Sequence, residues 1–600
     1  MYGINQGDLA LNSGNYDLSY QGNNLTITKA LLNVIADAKT KVYGDADPAL
    51  TYQVSGLKNG DTAGAVLNGG SLTLGNDGAL GSGGLSVSGN ALLDSAGTLQ
   101  LANGISLLSQ LTLAGSHDTT LDGVISGTGS LVKNGNGALR LAGINNYSGG
   151  TTINAGSVTG DTDSLQGAIT NNGALIFEQD ADGTHSGNLS GSGTLRKLGL
   201  GRLLFTGNSN FTGNTQVNAG SLINNGTLAS ANVLVESGAS LGGSGTYSGT
   251  VTIADGASLN AGSATAPLTV GNLNLSSGSI LNYALGAPGA STTLVAVNGN
   301  LVLDGTLNLS NAGGFGMGVY QLFTYGGSVT DNGLVYGTLP AGVLPSDLTL
   351  QTAIANQINL VVGSGNALQF WNGGKTAADG TISGGDGVWN AASTNWTNTT
   401  GTSSAAWGSQ FAVFGGPAGT AGKVTVEGQQ SFTGLQFLND GYELNAGTAG
   451  SLVAVNAAGG SLAAVRVGTG TATIAAPLTG SGGIEKLDAG TLVLTGANTY
   501  TGGTTVSGGT LQGNTTSLQG NITNNANLVF DQGSSGQFSG ILAGAGSIAK
   551  QGSGDLLIVG SQPFNGTFAL NQGTLTVGNA ANPGTVCLLY TSPSPRDVEE

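Results

Sequence analysis

The feature that most restricts what this chain can fold into is an internal repeat 64 residues long. Four segments align without a gap: SLVKNGNGALRLAGINNYSGGT, TLRKLGLGRLLFTGNSNFTGNT, GIEKLDAGTLVLTGANTYTGGT and SIAKQGSGDLLIVGSQPFNGTF. Lys197 follows Lys133 by 64 positions, and Lys550 follows Lys486 by the same step. The aromatic that comes next keeps it too, from Tyr147 to Phe211 and from Tyr500 to Phe564. A larger unit is also duplicated. SLQGAITNNGALIFEQ from Ser164 returns as SLQGNITNNANLVFDQ from Ser517, 353 positions on, and Lys133 and Lys486 are separated by the same 353. A chain this periodic builds its core by stacking copies of one unit.

Within each copy, apolar residues alternate with polar ones. Leu139 and Leu141 correspond to Leu203 and Phe205, to Leu492 and Leu494, and to Leu556 and Ile558. Period two over a short run bounded by glycine predicts a strand with one buried face. Such strands are too short and too polar for a globular sandwich, but they can pair with their own equivalents one coil later. The expected fold is therefore all-β, a parallel β-helix with Leu over Leu inside and Asn or Thr in the turns. At about 20 to 25 residues per coil, the repeat spans roughly three coils, and the product is a rod.

Composition agrees. The 109 glycines of 600 residues supply turns, while 39% hydrophobic content with only 8% charge argues against disorder. The excess of 32 acidic over 15 basic residues gives a net charge of −17. Without clustered Lys and Arg, nucleic acid is not an expected partner, and an acidic surface is repelled by anionic lipid. No run of 18 apolar residues is present to cross a bilayer as a helix. The opening YGINQGDLALN lacks the basic and apolar regions of a signal peptide. Residues 586–600, which include the sole cysteine, Cys587, break from the preceding pattern and read as a non-native read-through tail. Cysteine avoidance in the remainder suits export of an unfolded chain through a pore.

The pattern G-[ST]-L-x-K-x-G-x-G-x-L-x-L-x-G-x-N-x-[YF]-[ST]-G-x-T resembles the passenger-associated transport repeat of autotransporters. Gly129 to Val158 and Gly482 to Leu511 carry it well, and the segments from Gly193 and Gly546 carry it with losses. The resemblance implies a right-handed β-helix exported by type V secretion and displayed on a Gram-negative surface. It also implies an outer-membrane β-barrel translocator as partner, outside this chain. LLNVIADAKTKVYGDADPALTYQVSGLKNGD resembles the opening of an MBG module of filamentous-haemagglutinin-like exoproteins, which implies a small β-grasp-like fragment at the N-terminus. The expected division is the end of one MBG-like module at 1–28 and the first half of a second at 29–70. Passenger units follow at 71–365, off period from 261, and at 366–585.

Residues able to carry chemistry are few. His117 and His185 lack the partners of a metal cage, and His185 beside Asp180 and Asp182 reads as a solvated turn. GASLG around Ser240 matches a nucleophile elbow as a string, without the strand-turn-helix that the chemistry needs. The pairs Asp161 with Asp163 and Glu178 with Asp180 are the nearest to a glycosidase arrangement. In the duplicate, however, Asn514 and Thr516 replace the first pair. No catalytic, cofactor or metal residue is assigned. Trp371, Trp389, Trp396 and Trp407 are the candidate recognition residues, since exposed aromatics stack on sugars or partner side chains; the competing reading is an apolar plug at the start of a new unit. The four repeated lysines read as solvated edge residues that discourage sideways strand pairing.

The expectation is a cell-surface or secreted stalk and adhesin that meets host or cell-surface glycans or proteins. The alternatives are a two-partner-secreted exoprotein and, behind it, a secreted polysaccharide-degrading enzyme.

Overall fold

The computed structural model describes residues 2–4, 23–25, 33–36, 52–55 and 70–583, apart from 263–265, 290–293, 365–366, 457–459, 561 and 580–581. The tail from 586 lies outside the described residues. The early strands pair antiparallel, Tyr2–Ile4 with Asn23–Leu25 and Asn33–Ala36 with Tyr52–Ser55. From Ser71 onward the architecture is the expected one, a parallel β-solenoid of about 25 turns.

One coil shows how the sequence makes it. Strands Leu111–Leu113, Thr119–Leu121 and Ile125–Gly127 are each three residues long and are separated by turns. In the first two, the outer positions are buried and the middle one is half-exposed. Each strand pairs in register about 20 residues away, Leu111 with Leu131, Thr119 with Leu139, Ile125 with Ile105. Pairing by equivalence satisfies the backbone N–H and C=O groups of a strand too short to hold a sheet alone. It also stacks like on like. One column runs Leu203, Leu222, Leu241, Leu259, Leu281 and Leu307 over successive coils, and every member is fully buried. Each such Leu contributes about 1.5–3 kcal/mol of burial.

The repeat is not a whole number of coils. Lys133 stacks on Ile153 and Ile153 on Asn171, and the next pairing, Thr170 with Ser190, brings Gly191 to the end of the third coil. Five residues, 192–196, remain before Lys197, which lies in a different sheet, stacked on Phe177. The second pair behaves identically, with Lys486 under Val506 and Lys550 against Phe530. Within each pair, the second copy of the repeat is thus turned by one face of the solenoid from the first.

The expected single rod is in fact two stacks. Among the described residues, no strand of 71–365 pairs with a strand of 366–585. The first stack closes with antiparallel strands, Gly318–Tyr325 against Gln357–Val362 and Gln357–Val362 against Leu348–Gln351. These lie against the outward face of the second stack's first rungs. Strands Phe411–Phe414 and Gly434–Phe437 are accordingly buried on both faces, and Val319, Val361, Leu368, Phe370, Phe411 and Val413 form the shared apolar layer.

Candidate functional site

The one motif that recurs four times is also the most elaborately built part of the molecule. Its centre is the lysine, and here the expectation of a solvated edge residue is overturned. Lys133, Lys197, Lys486 and Lys550 are all 2% exposed or less. The alternation places them there. Leu131 and Lys133 occupy the two inward positions of a strand whose Val132 faces out. The stem fills a slot in an apolar column: Lys133 between Leu113 and Ile153, Lys197 between Phe177 and Val217, Lys486 between Val465 and Val506, Lys550 between Phe530 and Leu570. An alkyl chain of that length serves as a hydrophobe while its head turns towards polar partners.

Those partners are backbone carbonyls. Lys197 Nζ donates to the oxygens of Leu198 at 2.8 Å, Gly199 at 2.7 Å and Ala219 at 3.2 Å. Lys486 Nζ does the same to Leu487, Asp488 and Gly508 at 2.7, 2.9 and 3.2 Å. Lys550 reaches Gln551, Gly552 and Gln572 at 2.7, 2.6 and 3.0 Å, and Lys133 bonds Gly135. For Lys197, Lys486 and Lys550, two acceptors belong to the lysine's own turn and the third to the turn of the next coil, 22 residues on. The ammonium is a bolt between coils. Burial lowers all four from the usual lysine range, Lys197 and Lys486 to about 8, with Asp180 and Asp488 respectively opposing the shift. The turn itself needs left-handed backbone: Gly199 and Gly552 have φ of 77° and 75°, where a glycine pays no steric penalty.

A second device lies further along each copy. The side-chain oxygen at the repeat's Asn position accepts the backbone N–H of the residue 20 earlier: Asn145 from Ile125, Ser209 from Leu189, Asn498 from Leu478, Gln562 from Leu542. Asn145 and Asn498 also donate forward, to the carbonyls of Ser164 and Ser517. Each amide therefore ties three successive coils. The following aromatic is buried in three copies, Tyr147, Phe211 and Tyr500, and half-buried at Phe564, with the Tyr147 and Tyr500 hydroxyls 2.6 and 2.5 Å from Thr151 and Thr504.

The other candidates resolve into structure. Trp371, Trp389 and Trp396 are fully buried and Trp407 is 9% exposed, which corrects the premise that they offer exposed faces. Their ring centroids lie 4.3–5.2 Å apart around Phe414, in edge-to-face and tilted contacts, so the indoles pack against one another at the base of the second core. His185 is likewise not in a solvated turn. It is 3% exposed and packs edge-on against Phe177 and Phe205, and burial holds its imidazole down at about 4. Phe538 occupies the same place in the duplicate.

Asp161 Oδ1 accepts the N–H groups of Asp163 and Ser164, and Asn514 does the same for Thr516 and Ser517. An amide replaces the carboxylate without altering the turn. Glu178 is paired with Arg140, and Asp182 Oδ1 accepts the Arg202 N–H. Ser240 opens the strand Ser240–Gly242, in an outward column with Ser221 and Ser258. The lysine and asparagine ties were the functional residues that composition rules concealed. Their signal was a polar residue at an inward position, repeated four times.

The passenger-associated transport repeat matches residues 131–159, 195–223, 484–512 and 548–577, and the MBG domain of YGX type matches 32–96. Repeats of this kind on a parallel β-solenoid are those of an autotransporter passenger. Among curated proteins, the chain is similar to the adhesin BmaC autotransporter of Brucella suis biovar 1 (strain 1330), with 36% identity over 552 residues. The match takes in 81% of this chain and 14% of that protein. No solved structure matches the chain. The MBG match continues past residue 70, where the sequence reading ends the module, through Ser71–Leu74 and Ala91–Ser95. Those two strands pair in parallel as the first rungs of the solenoid.

Proposed function

We propose that this chain is the stalk of a surface-displayed or secreted passenger that works in adhesion. An outer-membrane β-barrel would translocate it, and its outer faces and turns would meet proteins or glycans on a host or neighbouring cell. The observation that carries the reading is the bolted repeat. Four copies spend their polar groups on coil-to-coil ties, which suits a chain that must stack rung by rung and stay stiff. The relative's name, an adhesin, supports the same use. The Asp161 to Asn514 exchange argues against a conserved carboxylate pair and so against catalysis. We assign the tryptophan cluster to the foundation of the second unit and recognition to the outer surface. We divide the solenoid into units 71–365 and 366–585, and the 353-residue duplication supports two units.

The test is to join this chain to an autotransporter barrel and display it on a non-adherent bacterium. Binding to epithelial cells or matrix proteins above the barrel-only control is the expected result, and display without binding to any tested surface would overturn the adhesive part. The MBG-type match favours a second reading, a two-partner exoprotein with a separate transporter. Secretion that requires that transporter, and fails with a fused barrel, would establish it.

A further inference from the structure

Asp488 breaks the rule of its own repeat. The residue two places after the lysine is glycine in the other three copies, Gly135, Gly199 and Gly552. In this copy it is aspartate, held at a φ of 66°, a conformation that costs a residue with a Cβ. Something must offset that cost, and the side chain shows what. Asp488 Oδ1 accepts a hydrogen bond from Arg466 Nη1 at 2.9 Å, with the two side chains 1% and 11% exposed. The same Arg466 nitrogen donates to the carbonyl of Pro288 at 2.8 Å, 178 residues earlier and in the first stack. Gly289 lies directly over the carboxylate; a Cβ there would come within 2.4 Å of Asp488 Oδ2.

The setting is unusual for a solenoid. Gln436 and Arg466 are neighbours in one column of the second stack, on the face that elsewhere looks to solvent. Here the first stack covers it. Gln436 accepts from the Val319 N–H at 2.9 Å and donates to the Val319 carbonyl at 3.0 Å, in the way a neighbouring strand would. Arg466 repeats the tie one rung later and needs a counter-charge in a dry place. Among the described residues, Asp488 Oδ2 and Arg466 Nε have no hydrogen-bond partner, and Lys486 and Tyr320 are the remaining titratable groups nearby.

We propose that Asp488 and Arg466 form a latch that fixes the second solenoid unit to the first, installed by exchanging one turn glycine for aspartate in a single copy of the repeat. The exchange trades local backbone ease for a junction contact. A buried ion pair is a poor source of net stability but a good source of a unique arrangement. The latch therefore sets the angle between the units rather than the stability of either.

Asp488→Gly, which restores the residue of the sister copies, tests this. Spin labels on the exposed residues Val335 and Thr433, in a chain with Cys587 replaced by serine, report the distance between the units. The expected result is a distance distribution at least twice as broad as in the parent, with unchanged far-UV circular dichroism and a melting temperature no lower. Gly552→Asp places the same aspartate in a sister copy and should leave the distribution narrow. If Asp488→Gly fails to fold, Asp488→Asn keeps a residue that tolerates the turn, removes the charge, and should broaden the distribution in the same way. A distribution as narrow as the parent's in the folded variant overturns the latch.

Discussion

Lys197 Nζ donates to the carbonyl oxygen of Ala219, 3.2 Å away and one coil further along the chain. The same nitrogen holds two carbonyls of its own turn, so a single side chain fixes the spacing of two coils at a corner. Corners are the weak places of a solenoid, because their carbonyls have no ladder partner. A repeated ammonium at the corner, screened from water, answers that weakness from inside.

Replacing Lys197 or Lys486 with methionine keeps the apolar stem and removes the donor. Three buried carbonyls then lose a charged partner in each case. The expected cost is about 2–4 kcal/mol, since hydrogen bonds to charged groups are worth roughly 1.5–3 kcal/mol each and part of the lysine's own desolvation is recovered. Arginine should not rescue, because its planar fork does not fit a site built for a compact ammonium. Denaturant melts of the variants against the parent measure both effects.

The same two lysines give a pH signature. Their folded values, about 8, lie below the 10.5 of the unfolded chain. Between those values the unfolded state binds more protons than the folded one, so their contribution to stability rises with pH. Parent and methionine variants compared at pH 8 and pH 10 should diverge, with the parent gaining relative to the variants. Equal slopes would mean that the ammonium groups are solvated.

His185 predicts an effect on the acid side. Its folded value of about 4 lies below 6.5, so from pH 6.5 down to 4 the unfolded chain takes a proton that the folded chain refuses. Stability falls as pH falls through that window. His185→Phe, the residue at Phe538 in the duplicate, should remove this loss and flatten the acid limb of a stability-against-pH curve. It should also cost little at pH 7.

Leu241→Ala opens a cavity in the leucine column between Leu222 and Leu259. A loss of about 2–5 kcal/mol is expected. Hydrogen exchange should localise the damage to the rungs on either side, because each coil touches only its neighbours. Asn498→Ala leaves the buried Leu478 N–H without its acceptor and should cost about 1–3 kcal/mol by the same measurement.

Much of the fold was legible because period two and period 64 are both properties of the chain alone. Leu139 and Leu141 announce a buried strand face, and the four aligned copies announce stacking. The turning of the second copy in each pair by one face was not legible, because the coil length of 18 to 20 residues shows only in the register of Lys133, Ile153 and Asn171. The lysines differ in kind: alternation places Lys133 inward beside Leu131, against the general preference of lysine for water, and here the pattern outweighs the preference. The tryptophans posed the converse problem: composition marks them as special without telling a ligand face from a core. The doubly buried run Phe411–Phe414 was readable as a strand covered on both sides, whereas its cover, the strand from Gly318, is nearly a hundred residues away.

The most direct test of the internal bolts is lysine accessibility in the folded chain, measured by brief treatment with a water-soluble acetylating reagent and peptide mass spectrometry. Lys375 and Lys423, whose side chains are 40% and 73% exposed, should be modified at once. Lys133, Lys197, Lys486 and Lys550 should stay unmodified until denaturant unfolds the solenoid, even though their lowered pKa values would make them the more reactive amines if water reached them. Modification of those four at the rate of Lys423 would contradict the account.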